Sequence, residues 1–269
     1  MLRLNLDRMR NDLLKTKTFG RSCRYFEEID STNNYLKDYA REKGSNTPDG
    51  FLVVAGSQSA GRGRVGRKFF SPGEAGVYMS LFTRPNTSTE NFVRITPSVA
   101  VAVCGAICSL AGKKAEAEGL TKPHIGIKWV NDIFLNGKKI CGILTENVTD
   151  ETGRMGIVTG IGINVGRLEF PEDLKNVATS LANEGYEINK EELIAEIMNR
   201  LEFYMDGLNT SAFLKEYKEK SLVLGKEIKV MAEDPYIATA MDIDENGGLI
   251  VKRGDEVLHI NTGEVSIKL

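Results

Sequence analysis

The sequence is poor in the residues that build metal centres and disulfide frameworks. Its 269 residues include only two histidines and four cysteines, and no two cysteines form a C-x-x-C pair. A zinc cluster of cysteine and histidine ligands is therefore not expected. We expect the cysteines to remain free thiols in a reducing cytoplasm.

Long apolar runs and an excess of positive charge are also missing. No stretch reaches the ~18 consecutive apolar residues of a membrane span, and the N-terminal MLRLNLDRMRNDLLK has no apolar core of signal-peptide length. The formal net charge is −2, whereas a protein that coats nucleic acid is strongly basic. We therefore expect no membrane partner, and any anion binding must be local.

Two familiar nucleotide-binding loops are absent or incomplete. The motif G-x-x-x-x-G-K-[ST] does not occur. The stretch GRGRVG at 61–66 satisfies G-x-G-x-x-G, but Ser71-Pro72-Gly73 prevents the helix that a dinucleotide site needs directly after its glycines. We expect neither NAD nor flavin.

The pattern of what is present predicts an α+β protein with a small β-domain. Apolar residues make up 41% of the chain and charged residues 27%, which is ordinary for a soluble globular protein. Buried strands such as FLVVAGSQ and VYMSLFT alternate with helical segments up to about residue 220, and short alternating strands follow Gly225. We predict a linker over 1–22, a large domain over 23–223 and a small β-barrel over 224–269.

One loop collects positive charge on a backbone too rich in glycine for a helix. Residues 57–73 read SQSAGRGRVGRKFFSPG, in which Arg62, Arg64 and Arg67 lie among glycines. Backbone N–H groups and guanidinium groups of such a loop can enclose an anion. A solvated surface loop is the alternative interpretation.

Five motifs, occurring in a fixed order, narrow the choice between these interpretations. They are DSTN (30–33), SQSAGRGRVGRKF (57–69), KWVND (128–132), KKICGILTE (138–146) and GIGINV (160–165). Together they resemble the catalytic core of the biotin protein ligases, enzymes that attach biotin to a lysine of a carrier protein. The resemblance runs from about Tyr25 to the C-terminus and includes the small β-domain.

The resemblance implies a fold, a reaction and its partners. The expected fold is a class II synthetase-like core with a mixed or antiparallel sheet and helices, followed by an SH3-like β-barrel. The expected reaction activates biotin with ATP and Mg²⁺ to biotinyl-5′-AMP, and then transfers biotin to a lysine of a biotin carboxyl carrier protein. A homodimer formed through an edge of the core sheet is a further expectation.

The resemblance also implies roles for individual residues. Lys139 and Arg64 would be catalytic. Biotin would contact Ser31, Thr32, Asn33, Gln58, Gly61, Arg62, Gly63, Arg64, Lys139, Gly160 and Gly162. ATP or the adenylate would contact Arg64, Arg67, Trp129, Asn131, Asp132 and Asn164, with Asp132 also a Mg²⁺ ligand.

Several of these residues have simpler interpretations. Lys139 follows the hairpin signal Asn136-Gly137 and has Lys138 beside it, so either lysine could be an ordinary strand residue. Ser31 could serve only as a helix cap, and Trp129 only as a core residue. The motif KWVND carries Val130 where many members of the family have proline, which changes the stiffness of the loop more than its chemistry.

Two other functions remain open. A lipoate or octanoate ligase or transferase has a related fold and a comparable lysine, although the arginine loop and the β-domain favour biotin. A nucleic-acid-binding module could use the basic loop, but the acidic chain has no reading helix. Only about 22 residues precede the core, too few for the winged helix-turn-helix of bifunctional ligases, so we expect no DNA binding by this chain.

Overall fold

The apolar strands of the large domain assemble into one seven-stranded mixed sheet. The structure is a computed structural model that describes residues 4–73 and 75–267. The strands are β1 (Cys23–Ile29), β2 (Phe51–Gln58), β3 (Gly76–Thr83), β4 (Ile125–Lys128), β5 (Asp132–Leu135), β6 (Lys138–Thr149) and β7 (Met155–Asn164). Their order is β1-β2-β3-β7-β6-β5-β4, with β1 parallel to β2 and the other pairs antiparallel.

Helices cover both faces of this sheet. They are α1 (Leu6–Arg8), α2 (Thr32–Lys43), α3 (Ile95–Glu118), α4 (Lys190–Asp206) and α5 (Leu214–Lys220). Phe51 and Val53 of β2 pack with α2, whereas the intervening Leu52 and Val54 belong to the larger cluster that contains α3 and α4. Because successive strand residues point to opposite faces, the near-continuous apolar strands are buried on both sides.

Helix α3 is the central element of the larger cluster. The segment Thr89–Glu118 is long and apolar enough to cross a membrane by length and composition alone. Val99, Ala102 and Ile107 of this helix are at most 1% exposed, because α3 packs against the sheet, α4 and α5. The apolar surface of the helix is therefore used as protein core.

Residues 4–22, the described part of the predicted linker, pack on the large domain. Met9, Leu14 and Phe19 are buried in the main core. The Glu202 carboxylate on α4 accepts hydrogen bonds from the backbone N–H groups of residues 17–19 at 2.8–3.0 Å. Contacts with α4 begin at Asn5, whose backbone N–H donates to the Glu191 carboxylate at 2.9 Å.

The C-terminal strands form an open antiparallel sheet, which corrects the predicted closed barrel. They are β8 (Glu227–Val230), β9 (Tyr236–Ile243), β10 (Leu249–Arg253), β11 (Glu256–Ile260) and β12 (Val265–Ser266), in the order β11-β10-β9-β8-β12. Within residues 4–73 and 75–267, no pairing joins the edge strands β11 and β12. The apolar inner face of the sheet, with Ile228, Ala240 and Val251, is instead buried in the core shared with the large domain.

The turn between β9 and β10 attaches this sheet to the large domain. The Trp129 indole N–H donates to the Gly247 carbonyl at 2.9 Å, and Arg94 Nε donates to Asn246 Oδ1 at 2.9 Å. Gly247 has φ +86°, and a Cβ atom there would lie 2.6 Å from Pro97. The turn therefore requires glycine at this position, and it places the C-terminal domain beside the KWVND motif.

Candidate active site

A single cleft collects the five sequence motifs. Strands β3, β6 and β7 form its floor, the loop of residues 61–69 forms one wall, and Gly263 and Glu264 reach it from the C-terminal domain. The predicted site residues that line it are Ser31, Thr32, Asn33, Gln58, Arg62, Gly63, Arg64, Arg67, Trp129, Asn131, Asp132, Lys139, Gly160 and Gly162. Fold topology therefore joins segments that lie far apart in the chain.

The loop of residues 61–69, which we call the basic hairpin, is a short ordered hairpin. Arg62 and Lys68 form an antiparallel bridge, and Phe69 N–H donates to the Gly61 carbonyl at 2.9 Å. The tip residue Val65 has φ +53° and a side chain that is 91% exposed. A β-branched residue rarely adopts this conformation. The backbone at the tip is therefore strained, and the apolar side chain of Val65 is exposed to solvent.

Glycines keep the floor of the cleft open, and we call Gly142, Gly160 and Gly162 the glycine floor. A Cβ atom at Gly162 would lie 2.5 Å from the ring of Phe69, and one at Gly142 would lie 3.2 Å from it. A Cβ atom at Gly160 would overlap the Asn33 side-chain oxygen. The backbone of these strands can therefore lie directly against a neighbouring group.

A buried polar cluster forms one end of the cleft. The Ser80 hydroxyl on β3 lies 2.7 Å from the Thr32 hydroxyl and 2.5 Å from Asn33 Oδ1. Gln58 Oε1 accepts a hydrogen bond from the Thr32 backbone N–H at 3.0 Å. Ser31 accepts from Asn34 N–H at the start of α2 and also lines the cleft. The predicted helix cap is therefore present, and the predicted contact of Ser31 with biotin stays a prediction.

Glu146 connects this cluster to the basic hairpin. Its carboxylate accepts hydrogen bonds from Lys37 at 2.7 Å, Asn33 at 2.9 Å and Arg62 at 2.9 Å. Burial by itself raises the pKa of the Glu146 carboxyl, but these hydrogen bonds and the two positive charges outweigh it and lower the pKa. Glu146 therefore stays ionised and holds the Asn33 amide in a single orientation.

Lys139 and Lys138 point in different directions. Asn136 and Gly137 have φ +49° and +83°, the left-handed pair that a two-residue hairpin requires. Beyond this turn, Lys139 Nζ enters the cleft and pairs with Asp132 Oδ1 at 2.7 Å. Lys138 is instead directed at the Lys175 carbonyl, 3.5 Å away. The structure thus places Lys139, which the resemblance selects, in the cleft and directs Lys138 away from it.

The arginines of the basic hairpin reach partners in other segments. Arg64 donates to Asn131 Oδ1 of the KWVND motif at 3.1 Å. Arg67 forms a two-pronged pair with Glu264 of the C-terminal domain, with Nη1–Oε1 and Nη2–Oε2 distances of 2.8 and 2.6 Å. These contacts hold the hairpin against the large domain and the C-terminal domain.

The cleft concentrates positive charge in a slightly acidic protein. Two acidic side chains in its lining, Asp132 and Glu264, face six basic ones: Arg62, Arg64, Arg67, Lys68, Lys128 and Lys139. Burial lowers the pKa of Lys128, even though Asp132 and Glu264 act to raise it. Such a group of cations suits a ligand with several negative charges, such as a polyphosphate.

Family models match both domains of the chain. Residues 25–164 match the biotin/lipoate A/B protein ligase family, and residues 223–268 match the biotin protein ligase C-terminal domain. The chain belongs to the biotin protein ligases.

Individual members of the family are similar to this ligase over most of its length. The bifunctional ligase/repressor BirA of Bacillus subtilis is 32% identical over 94% of this chain and 76% of its own length. The biotin–[acetyl-CoA-carboxylase] ligase of Mycobacterium tuberculosis is 26% identical over 96% of this chain and 93% of its own. The Aquifex aeolicus biotin protein ligase, solved in complex with biotin and ATP, superposes with a TM-score of 0.74 at 27% identity, covering 91% and 98% of the two chains.

Two predicted site residues of the ligase lie outside the cleft lining. A Cβ atom at Gly61 would lie 2.5 Å from the Phe69 carbonyl, so this glycine serves the tight base of the hairpin. Asn164 is 4% exposed, and its amide donates to the Thr179 carbonyl at 3.0 Å. Thr179 N–H in turn donates to the Lys139 carbonyl, so Asn164 supports the backbone beside Lys139.

Trp129 is mainly a structural residue of the ligase. It borders the cleft but is only 3% exposed, and its one polar atom is bonded to Gly247. The peptide bond between Trp129 and Val130 is cis. Its burial agrees with the interpretation as a core residue. Its position at the border of the cleft leaves the interpretation as a ligand wall open.

Some residues of the cleft carry no family role in the sequence prediction. Lys128 lines the cleft and belongs to the KWVND motif. Ser80 and Glu146 lie behind the lining and bond to Asn33, and Glu146 also belongs to a recognised motif. Glu264 had no signal in the sequence, since it lies 197 residues from its partner Arg67.

Proposed function

We propose that this chain activates biotin with ATP and transfers it to a lysine of a biotin carboxyl carrier protein. In the first step a biotin carboxylate oxygen attacks the α-phosphorus, giving biotinyl-5′-AMP and pyrophosphate. In the second step the carrier amine attacks the anhydride carbonyl, forming an amide and releasing AMP. The observation that carries the proposal is the group of six cations around a narrow glycine floor, which suits two anions that must be brought together.

Lys139 is the residue that we assign to the first step. Its ammonium enters the cleft between Asp132 and the glycine floor, 3.4 Å from where a Gly142 Cβ atom would lie. A compact, flexible ammonium can contact the biotin carboxylate and the α-phosphate together and offset the charge that develops between them. The ion pair with Asp132 holds the Lys139 ammonium in place before the substrates bind.

Arg64 is the residue that we assign to retention of the adenylate. Its bond to Asn131 fixes one edge of the guanidinium beside the KWVND motif. The other N–H groups can donate to the phosphate of the intermediate, which biotin alone lacks. Loss of Arg64 should therefore affect the adenylate more than biotin.

The buried polar cluster suits the uncharged ring of biotin. Thr32, Asn33 and Gln58 offer hydroxyl and amide groups next to glycines at which a ligand can approach the strand backbone. An uncharged ureido group needs such donors and acceptors, since unpaired polar atoms in a buried site are costly. Octanoate has no polar group apart from the carboxylate that would react with ATP.

Mg²⁺ is assigned to the ATP substrate. Within residues 4–73 and 75–267, no group of three or more His, Cys, Asp or Glu side chains could hold a metal ion. Mg²⁺ needs only one or two protein carboxylates when substrate phosphates supply its other ligands. Asp132, which lies in the cleft, fits this requirement as a single carboxylate.

Pyrophosphate release tests the first step and discriminates the substrates. The protein is mixed with ATP, Mg²⁺ and either biotin, lipoate or octanoate, and pyrophosphate is measured. Of the three acids, only biotin is expected to cause release of pyrophosphate. When a carrier domain is then added, it should carry biotin that streptavidin detects. Release with lipoate or octanoate but not with biotin would contradict the proposal.

A further inference from the structure

Glu264 places a carboxylate of the C-terminal domain among the cations of the cleft. It lies directly before β12, where its carbonyl accepts from Met231 N–H at 2.9 Å and the next residue, Val265, is fully buried. Its position is therefore set by the C-terminal sheet. Its side chain nevertheless borders the cleft together with Arg67 and Lys128.

The pair between Glu264 and Arg67 has the geometry of a phosphate contact. The two terminal guanidinium nitrogens of Arg67, which we call the Arg67 fork, face the two carboxylate oxygens of Glu264 at 2.8 and 2.6 Å. The same fork fits two oxygens of a phosphate equally well. The hydrogen bond from Arg67 and the charges of Lys128 and Lys139 together lower the pKa of the Glu264 carboxyl, despite its partial burial.

The pair is also exposed enough to be exchanged. The side chains of Arg67 and Glu264 are 65% and 38% exposed. Ion pairs in such positions are weak, since water and salt screen them. A polyphosphate carries more charge than one carboxylate and can therefore replace it.

We propose that Glu264 is a residue of the nucleotide site that occupies the Arg67 fork until a phosphate of ATP replaces it. Binding of ATP then separates Arg67 from Glu264, so the C-terminal domain sets how tightly the large domain holds phosphate. The inference rests on the proposed function, because it takes the ligand of the cations to be ATP.

The test measures the Kd of ATP, and of adenosine as the phosphate-free control, by titration calorimetry. Glu264→Gln keeps the shape of the side chain and removes the competing charge. ATP binding should tighten by about two- to fivefold, the range expected for loss of one exposed ion pair. Adenosine binding should not change, and the melting temperature shows whether the variant is folded.

Two further variants separate this exchange from a general effect of charge. Asp242→Asn removes an ion pair of 2.7 Å between the C-terminal domain and Lys218, at residues outside the cleft lining, and should leave the Kd of ATP unchanged. In an Arg67→Ala background, Glu264→Gln should no longer tighten ATP binding, because no fork remains to be released.

Each other result overturns the inference. Unchanged or weaker ATP binding by Glu264→Gln, equal tightening by Asp242→Asn, or tightening that persists without Arg67 would each do so. The proposed function fails separately, if the unmodified protein releases no pyrophosphate with biotin and ATP. A protein that releases pyrophosphate but shows no effect of Glu264→Gln refutes only the inference.

Discussion

The glycine floor and the basic hairpin form two sides of one cleft in different ways. The glycine floor lies on paired strands. A single added methyl group at Gly160 or Gly162 would overlap a neighbouring side chain. The basic hairpin has few buried atoms, a strained tip at Val65 and side chains held by ion pairs with Glu146 and Glu264. One side is preformed, and the other is held by interactions that a ligand can replace.

The difference follows from what each side has to bind. Shape and hydrogen bonds select an uncharged ring only if the surrounding backbone does not move. Phosphates are bound mainly through charge, which tolerates movement of the groups that carry it. Variants of the floor should therefore affect biotin, whereas variants of the hairpin should affect ATP and the adenylate.

Lys139→Ala should have the largest effect, because its ammonium lies where the floor meets the charged wall. Removal of one preorganised electrostatic contact typically slows a reaction by about 10²–10³-fold, and we expect a loss of this size in pyrophosphate release. The neighbouring Lys138→Ala is the matched control and should release pyrophosphate at the normal rate. Similar losses in both variants, or none in Lys139→Ala, would remove the catalytic assignment.

Arg64→Gly should weaken retention of biotinyl-5′-AMP by about tenfold or more, since a hydrogen bond to a charged group contributes about 1.5–3 kcal/mol. Biotin binding itself should change little. Escaped adenylate should label lysines of an unrelated bystander protein, which streptavidin detects. Val65→Gly, a change in the same hairpin that leaves the guanidinium in place, should not increase bystander labelling, and an increase in both would mean that hairpin flexibility is the cause.

Gly160→Ala tests whether the floor is as rigid as the structure indicates. The added methyl group would overlap Asn33, and overpacking of this kind costs about 1–3 kcal/mol. We expect biotin to bind about tenfold more weakly, by calorimetric titration. Gly112→Ala on α3, where the added Cβ meets nothing within 4 Å, is the control and should be neutral or slightly stabilising. Normal biotin binding by Gly160→Ala would show that the floor can adjust.

Glu146→Gln should have the smallest effect of these variants on the free energy of unfolding, and we expect to measure it in the pH dependence of stability. Because the folded protein lowers the pKa of Glu146 below its ordinary 4.5, its contribution is present above that pH and is lost as the pH falls through the lowered pKa. The melting temperature of the original protein should exceed that of the variant at about pH 6, and the two should converge as the pH falls below the lowered pKa of Glu146. The exposed pair of Asp38 with Arg41 provides the control Asp38→Asn, which should not reproduce this convergence.

Local patterns in the chain determined many of the elements and most of the cleft residues. Asn136-Gly137 predicted the hairpin, Ser31 the cap of α2, and the five motifs the residues that face the cleft. Each of these signals depends on residues that are neighbours in the chain, such as the two left-handed residues of the turn or the cap three residues from its donor. Physical chemistry links such residue types directly to backbone geometry, so sequence was sufficient.

Contacts between distant segments were decided only by the tertiary structure. The N-terminal segment packs on α4, the C-terminal sheet stays open against the large domain, and Glu264 meets Arg67 across 197 residues. Lys138 and Lys139 are equivalent in composition, and only the register of β6 against its neighbours directs the second into the cleft. These outcomes depend on how buried surfaces fit together, which no short stretch of sequence specifies.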